Sequence, residues 1–214
     1  MTATQSDAFD RLSDKWLVPM QETVWDPAQS FGRRAPLVID IGCGMGTTTV
    51  EQAVAAPDVD VLAVDVHTPG IGSLFAHAEQ AGVDNVRAIV GDAVEVLDLM
   101  IAPGSLAGAR IYFPDPWPKV RQQKRRLVQA PFVELLISRL LPGAFIHCAT
   151  DDPGYAKQMV KVFAANDSLV NPYDGFAPRP ADRPVTKFEA RGLRRGHEVA
   201  DVWVTVGSAY EPDA

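Results

Sequence analysis

From residue 36 onward, short apolar runs alternate with turn residues and with segments whose apolar positions recur at helical spacing. That alternation is the pattern of a parallel sheet with crossover helices. The apolar runs predict strands over Leu37–Ile41, Val61–Val66, Val86–Val90, Ala109–Phe113 and Ala144–Ala149, with a last strand over Val199–Val206. Between them the spacing predicts helices over Thr47–Ala56, stopped by Pro57, and over Pro69–Ala81, ended by Gly82. A long helix is expected over Gln123–Leu141, ended by Pro142-Gly143, and another over Tyr155–Ala165. The proline-rich stretch Pro172–Pro184 reads as ordered but irregular. The fold class is therefore α/β, doubly wound. Residues 1–35 show no clear periodicity, although Trp16, Leu17 and Val18 can dock them on the body. They are expected to form an N-terminal extension, partly mobile, ahead of a single domain over residues 36–214.

Composition narrows the class of protein. A chain of 214 residues, 47% hydrophobic and 22% charged, is ordinary for one globular domain with a real core. No secretion signal or membrane-length apolar run is seen, which gives an expectation of a cytoplasmic protein without a membrane. The two cysteines, Cys43 and Cys148, each lie in an apolar, strand-like context outside any paired ligand spacing, so both are expected as reduced thiols. His67, His77, His147 and His197 are scattered, and no metal is expected. A net charge of −7 argues against a sequence-blind nucleic-acid binder that relies on a broadly basic surface. A local patch is compatible with it. Lys119, Arg121, Lys124, Arg125 and Arg126 form one with no acidic residue among them, either a phosphate-binding run or a solvated face.

The first predicted strand leads into Asp40-Ile41-Gly42-Cys43-Gly44-Met45-Gly46. Gly42, Gly44 and Gly46 let backbone approach a ligand closely, because glycine has no Cβ and tolerates positive φ. Their G-x-G-x-G spacing departs from the G-x-G-x-x-G of dinucleotide folds. Asp40 ahead of them disfavours a diphosphate and favours a cationic ligand. S-adenosylmethionine, which carries an ammonium and a sulfonium, fits. Asp65 ends the second strand, where a carboxylate can accept from two ribose hydroxyls, and Asp92 ends the third, where it can face an adenine amine. Taken singly each acid is an ordinary cap or turn residue; three at successive strand ends point to one crevice.

At the end of the fourth predicted strand stands Phe113-Pro114-Asp115-Pro116-Trp117-Pro118-Lys119. Two prolines restrict the backbone on either side of Asp115, so little conformational freedom is lost in presenting its carboxylate. Trp117 is either a platform on which a base stacks or an anchor for the loop.

These residues resemble the bacterial tRNA (guanine-N7)-methyltransferases, from about Phe31 to the end of the chain. The most specific pieces are FPDPWPK with Lys124-Arg125-Arg126, Ala149-Thr150-Asp151, the Thr186-Lys187-Phe188-Glu189 segment with Arg191-Gly192 and Gly196-His197, and VHTPGIG over Val66–Gly72. The resemblance implies a mostly parallel seven-stranded sheet of the class I methyltransferase type, Rossmann-like. It implies S-adenosylmethionine as cofactor, held by Asp40, Asp65, Asp92 and Asp115, with Asp115 also at the catalytic centre. It implies substrate contacts from Lys119, Asp151, Thr186, Lys187, Phe188 and Glu189, and tRNA contacts from Arg121, Lys124, Arg125 and Arg126. The implied reaction is methylation of guanine N7 in the tRNA variable loop. Separately, no obligatory protein partner is expected, and the chain is expected to act as a monomer or homodimer. This chain departs from the usual pattern in having Asp for Glu at Asp40 and Asp65, Cys43 for phenylalanine, Gln122 and Gln123 for histidines, and little of the basic segment that often opens family members.

Overall fold

A computed structural model describes residues 1–181, 183–185, 189–190 and 198–210. Seven strands form its sheet, and the last of them, Ala200–Val206, runs antiparallel to both of its neighbours. The chain divides into two compact units. Among the described residues no helix is long and apolar enough to cross a membrane.

In the first unit β1 (Leu37–Ile41), β2 (Asp60–Asp65) and β3 (Val86–Val90) pair in parallel in the order β3-β2-β1. β1 is buried throughout, as expected of a strand covered on both faces. Val61, Ala63, Val86 and Ala88 alternate onto one face, where they pack with α3 (Thr47–Ala55) and α4 (Thr68–Ala81). The same cluster takes in Ala8, Leu12 and Trp16 of α1 (Ala3–Trp16). These three recur every fourth residue and so share one face of a helix that begins with a capping box, Thr2 with Gln5. A helix here departs from the expectation of an aperiodic N-terminus. Beyond α1, Leu17 bridges Ala88 at the edge of β3, and α2 (Pro27–Phe31) follows. α5 (Ala93–Leu99), capped by Asp92, follows β3 and was not anticipated from the sequence.

In the second unit β4 (Leu106–Tyr112), β5 (Leu140–Thr150), β6 (Leu169–Val170) and β7 (Ala200–Val206) lie in the order β4-β5-β7-β6. β4 and β5 are parallel; β7 is antiparallel to both β5 and β6. The long helix expected over Gln123–Leu141 is not formed. A 3-10 helix covers Val120–Arg125, the backbone turns extended at Arg126 with ψ 137°, and α6 begins afresh as Ala130–Arg139. Pro131 explains the break, since a residue without N–H is accommodated only in a helix's first turn. Pro142-Gly143 likewise does not end that helix. It lies within β5, where the register with β4 slips between Leu106↔Leu140 and Gly108↔Phe145, and Gly143 takes φ 81°. α7 (Pro153–Ala164) follows β5, capped by Asp152. Of the proline-rich stretch, the described residues form neither helix nor strand, and Ala177 makes a single bridge to Asp201.

Candidate active site

In the first unit the glycine turn is built from backbone that other residues resist. Gly42, Gly44 and Gly46 take φ of 76°, 57° and 72°. A Cβ on Gly46 would strike Leu74 of α4, and one on Gly70 would strike the Gly44 carbonyl, so α4 packs directly on the turn. A Cβ on Gly42 or Gly44 would meet nothing within 4 Å; both border open space. Asp65 fixes the turn from β2. One carboxylate oxygen accepts from Gly44 N at 2.8 Å and the other from His67 N at 2.8 Å. Each oxygen keeps a second lone pair for a ligand hydroxyl. Asp40, only 3% exposed, accepts from Thr49 Oγ1 at 2.5 Å and so joins β1 to the first turn of α3. Asp92 is exposed at the N-cap of α5, where it accepts from Val94 N at 2.7 Å. Asp65 and Asp92 end neighbouring strands, and Gly91 N donates to the Asp65 carbonyl at 3.1 Å. Burial, and then the negative Asp40 and Asp65, push the Cys43 thiol well above its usual value, so it remains neutral. Cys43 lies in the turn rather than in a strand, whereas Cys148 is inside β5; both are free thiols. An acidic, glycine-lined turn facing open space fits a ligand with a positive end.

In the second unit the segment after β4 is strained. Among the described residues, Phe113 (φ 53°) and Trp117 (φ 41°) are the non-glycine residues at positive φ. Bulky side chains hold that conformation only where the surroundings over-determine it, and such residues cluster at functional sites. The supports are visible. Phe113 N donates to Ala149 O of β5 at 2.7 Å. The Arg125 guanidinium lies 4.9 Å over the Trp117 ring, and Arg126 Nε donates to Pro116 O at 2.7 Å. Asp115, between the two prolines, is exposed.

The basic run separates into two kinds of residue. Lys119, Arg121, Lys124 and Arg125 are exposed on or beside the 3-10 helix. Arg126 is 4% exposed, which corrects the expectation that it belongs with them. Its Nη1 donates to Gln158 Oε1 at 2.7 Å, its Nη2 lies 3.6 Å from Asp152, and its guanidinium covers the Tyr155 ring at 4.8 Å. Tyr155 in turn accepts from Val128 N at 2.9 Å, and burial pushes its phenol up to about 12. Asp151, half-buried, precedes the Asp152 cap of α7. Glu189 is 2% exposed and paired with Arg179 at 3.1 Å. Thr186, Lys187 and Phe188, with Arg191-Gly192 and Gly196-His197, lie outside the described residues. Sequence reasoning also missed a buried chain. Tyr112 Oη lies 2.9 Å from His147 Nδ1, and His147 Nε2 lies 2.7 Å from Asp201 Oδ1, joining the end of β4 through β5 to β7. Its one sequence signal is a histidine inside an apolar strand.

Solved structures share this fold at low identity. The 16S rRNA methyltransferase KamB superposes with a TM-score of 0.62 at 15% identity, covering 88% of this chain and all of that one. A 16S rRNA (adenine(1408)-N(1))-methyltransferase from Catenulisporales acidiphilia gives a TM-score of 0.59 at 17% identity, over 89% of this chain and 96% of that one. The fold is that of the class I methyltransferases. Residues 34–202 match the family described as putative methyltransferase. A tRNA (guanine-N(7)-)-methyltransferase of Paraburkholderia xenovorans is 54% identical over 92% of this chain and 76% of its own length. Another, of Bordetella pertussis, is 52% identical over 94% of this chain and 80% of its own length. The chain belongs to the tRNA (guanine-N7)-methyltransferase family.

Proposed function

We propose that this protein transfers the methyl group of S-adenosylmethionine to N7 of a guanine in the tRNA variable loop. Beside family membership, the observation that carries the reading is the strained loop after β4: it presents an exposed Asp115 between two prolines, next to exposed Lys119, Arg121, Lys124 and Arg125.

The cofactor, when bound, supplies an electrophilic methyl on a sulfonium. Asp40, Asp65 and Asp92 suit its positively charged end, its ribose and its adenine amine respectively. Because Asp40 also holds Thr49, its role combines negative charge with the shape of the glycine turn. Guanine N7 has a free lone pair and no proton, so the residues need not supply a general base. Alignment of N7 with the methyl carbon and sulfur contributes several kcal/mol, in the range of about 7–11 kcal/mol reached by well-oriented intramolecular reactions. Positive charge spreads over the guanine ring as the bond forms, and the Asp115 carboxylate becomes more favourable there than in the ground state. Selection of guanine falls to a carboxylate accepting from N1–H and the 2-amino group. Asp151, half-buried beside the loop's support, suits this better than Glu189, which is buried against Arg179. Lys119 and the exposed arginines hold phosphates and set position rather than sequence.

Tritiated methyl transfer into unmodified tRNA, followed by nucleoside analysis, tests the reading. N7-methylguanosine is the expected product. Label in another nucleoside, or stabilisation of the protein by NAD and not by S-adenosylhomocysteine, refutes it.

A further inference from the structure

Arg126 stands in a run of basic residues yet does not share their surroundings. It is 4% exposed, and its donors and ring face are committed within the second unit to Pro116 O, Gln158, Asp152 and the Tyr155 ring. These partners come from two places that matter to the reaction. Pro116 follows Asp115 in the loop, and Asp152 follows Asp151 and caps α7. Successive residues also divide the loop between them: Arg125 covers the Trp117 ring from the exposed side, while Arg126 holds the Pro116 carbonyl from the buried side.

We propose that Arg126 is a positioning residue for methyl transfer, clamping the Asp115 loop onto the N-terminus of α7 so that the Asp115 and Asp151 carboxylates keep one geometry toward the guanine.

The chemistry of the side chain supports the assignment. A guanidinium offers five N–H donors in a flat, rigid fork, so it can serve a carbonyl, an amide oxygen and a carboxylate at once while its face rests on an aromatic ring. A lysine at the same place offers three donors on one mobile ammonium, without the rigid fork that spans separated acceptors or the flat face that rests on the ring. Turning Arg126 outward to meet a phosphate would leave the Pro116 carbonyl and the Asp152 carboxylate without it, and would empty the face of Tyr155. The guanidinium itself is buried and would give up two hydrogen bonds and the ring contact, whereas the phosphate contact it would gain is exposed and screened by salt. The clamp also explains how Phe113 and Trp117 persist at positive φ, since the loop between and beyond them is fixed at Pro116 and at Trp117 itself. The 3-10 helix that carries Lys124 ends at this anchor, so the exposed basic residues and the Asp115 loop are tied to the same side chain.

The assignment rests on the methyltransferase reading, and the test separates the two. In Arg126→Lys, the single-turnover rate of methyl transfer at saturating tRNA and cofactor is expected to fall about tenfold or more, while tRNA affinity and its salt dependence stay at wild-type values. Gln158→Ala, which removes one partner of the clamp and no charge, is expected to give a smaller loss of the same kind. Trypsin provides a readout that needs no activity. Cleavage after Lys119 and Arg121 is expected to quicken in both variants, at a temperature where each remains folded by circular dichroism. If Arg126→Lys does not fold, Gln158→Ala decides on the same measurements. A salt slope that falls by about the 0.9 due to one phosphate contact, with the saturating rate intact, makes Arg126 an RNA ligand and overturns the proposal. Wild-type cleavage and saturating rates in both variants overturn it as well. Absence of methyl transfer by the wild-type protein counts instead against the function, and the trypsin comparison then still tests the clamp.

Discussion

The glycine turn after β1 and the loop after β4 both bring backbone into the positive-φ region, and they do so by opposite means. The turn removes the side chains: Gly42, Gly44 and Gly46 adopt the conformation without steric cost. The loop keeps Phe113 and Trp117, whose left-handed backbone costs on the order of 1–2 kcal/mol each, and offsets that with prolines, a β5 carbonyl and two arginines. A turn that must admit a ligand close to its backbone has no use for side chains. A loop that must present a carboxylate and a flat ring has to keep them, and its rigidity then depends on neighbours distant in sequence.

The sharpest way to break this comparison lies in the loop. Asp115→Asn keeps the shape of the side chain and removes its charge, and single-turnover methyl transfer at saturating cofactor is expected to slow roughly 100-fold or more, as for the loss of one preorganised electrostatic contact. Affinity for tRNA should hardly change. A near wild-type rate with N7-methylguanosine still formed removes Asp115 from the chemistry and transfers its role to Asp151 or Glu189.

In the turn, Gly46→Ala adds both a left-handed alanine and a collision with Leu74, and is expected to destabilise the protein by about 2–4 kcal/mol in urea unfolding. Gly42→Ala, which borders open space, should lose only ~1–2 kcal/mol. Equal losses would mean that α4 yields to the new methyl group and that the two glycines are alike.

Asp40→Ala is expected to weaken S-adenosylmethionine binding about tenfold in calorimetry, the order of one hydrogen bond to a charged group, and to leave tRNA affinity nearly unchanged. Unaltered cofactor affinity would take Asp40 out of cofactor binding and leave it a structural role, holding Thr49 among others. The smallest effect is expected at the exposed basic residues. Lys124→Ala should reduce the salt slope of tRNA binding by 0.9 or less, and an unchanged slope would make that position a solvated face.

What the sequence disclosed follows from how local the determining physics is. β1 to β3 and the helices α3 and α4 were legible because each is bounded by its own punctuation, the glycine turn, Pro57 and Gly82, and because apolar runs of five or six residues admit few other readings. Asp65 and Asp92 were placed at strand ends by the same logic. The helix expected over Gln123–Leu141 failed because helix-compatible spacing on both sides of Pro131 outweighed the proline. α1 was overlooked since Ala8, Leu12 and Trp16 make a narrow stripe among polar residues, and the stripe's partners, on α4 and β3, are distant in sequence. Arg126 was grouped with its neighbours because charge along a sequence says nothing about direction. Arg126 leaves the 3-10 helix on extended backbone, and its inward direction is settled by Tyr155 and Gln158. The Tyr112–His147–Asp201 chain joins three strands, and a histidine in an apolar run does not by itself say which residues of other strands it meets.

The antiparallel β7 between β5 and β6 bears on the order in which the protein is made. β5 is complete at Thr150, but the strand that covers its edge begins only at Ala200. While the ribosome works through the intervening residues, an apolar strand whose last seven residues are almost wholly buried in the finished protein offers unpaired backbone to any other nascent chain. Conditions that slow synthesis between α7 and β7 are therefore the ones under which this protein should be most prone to aggregate, even though the finished fold leaves that edge closed.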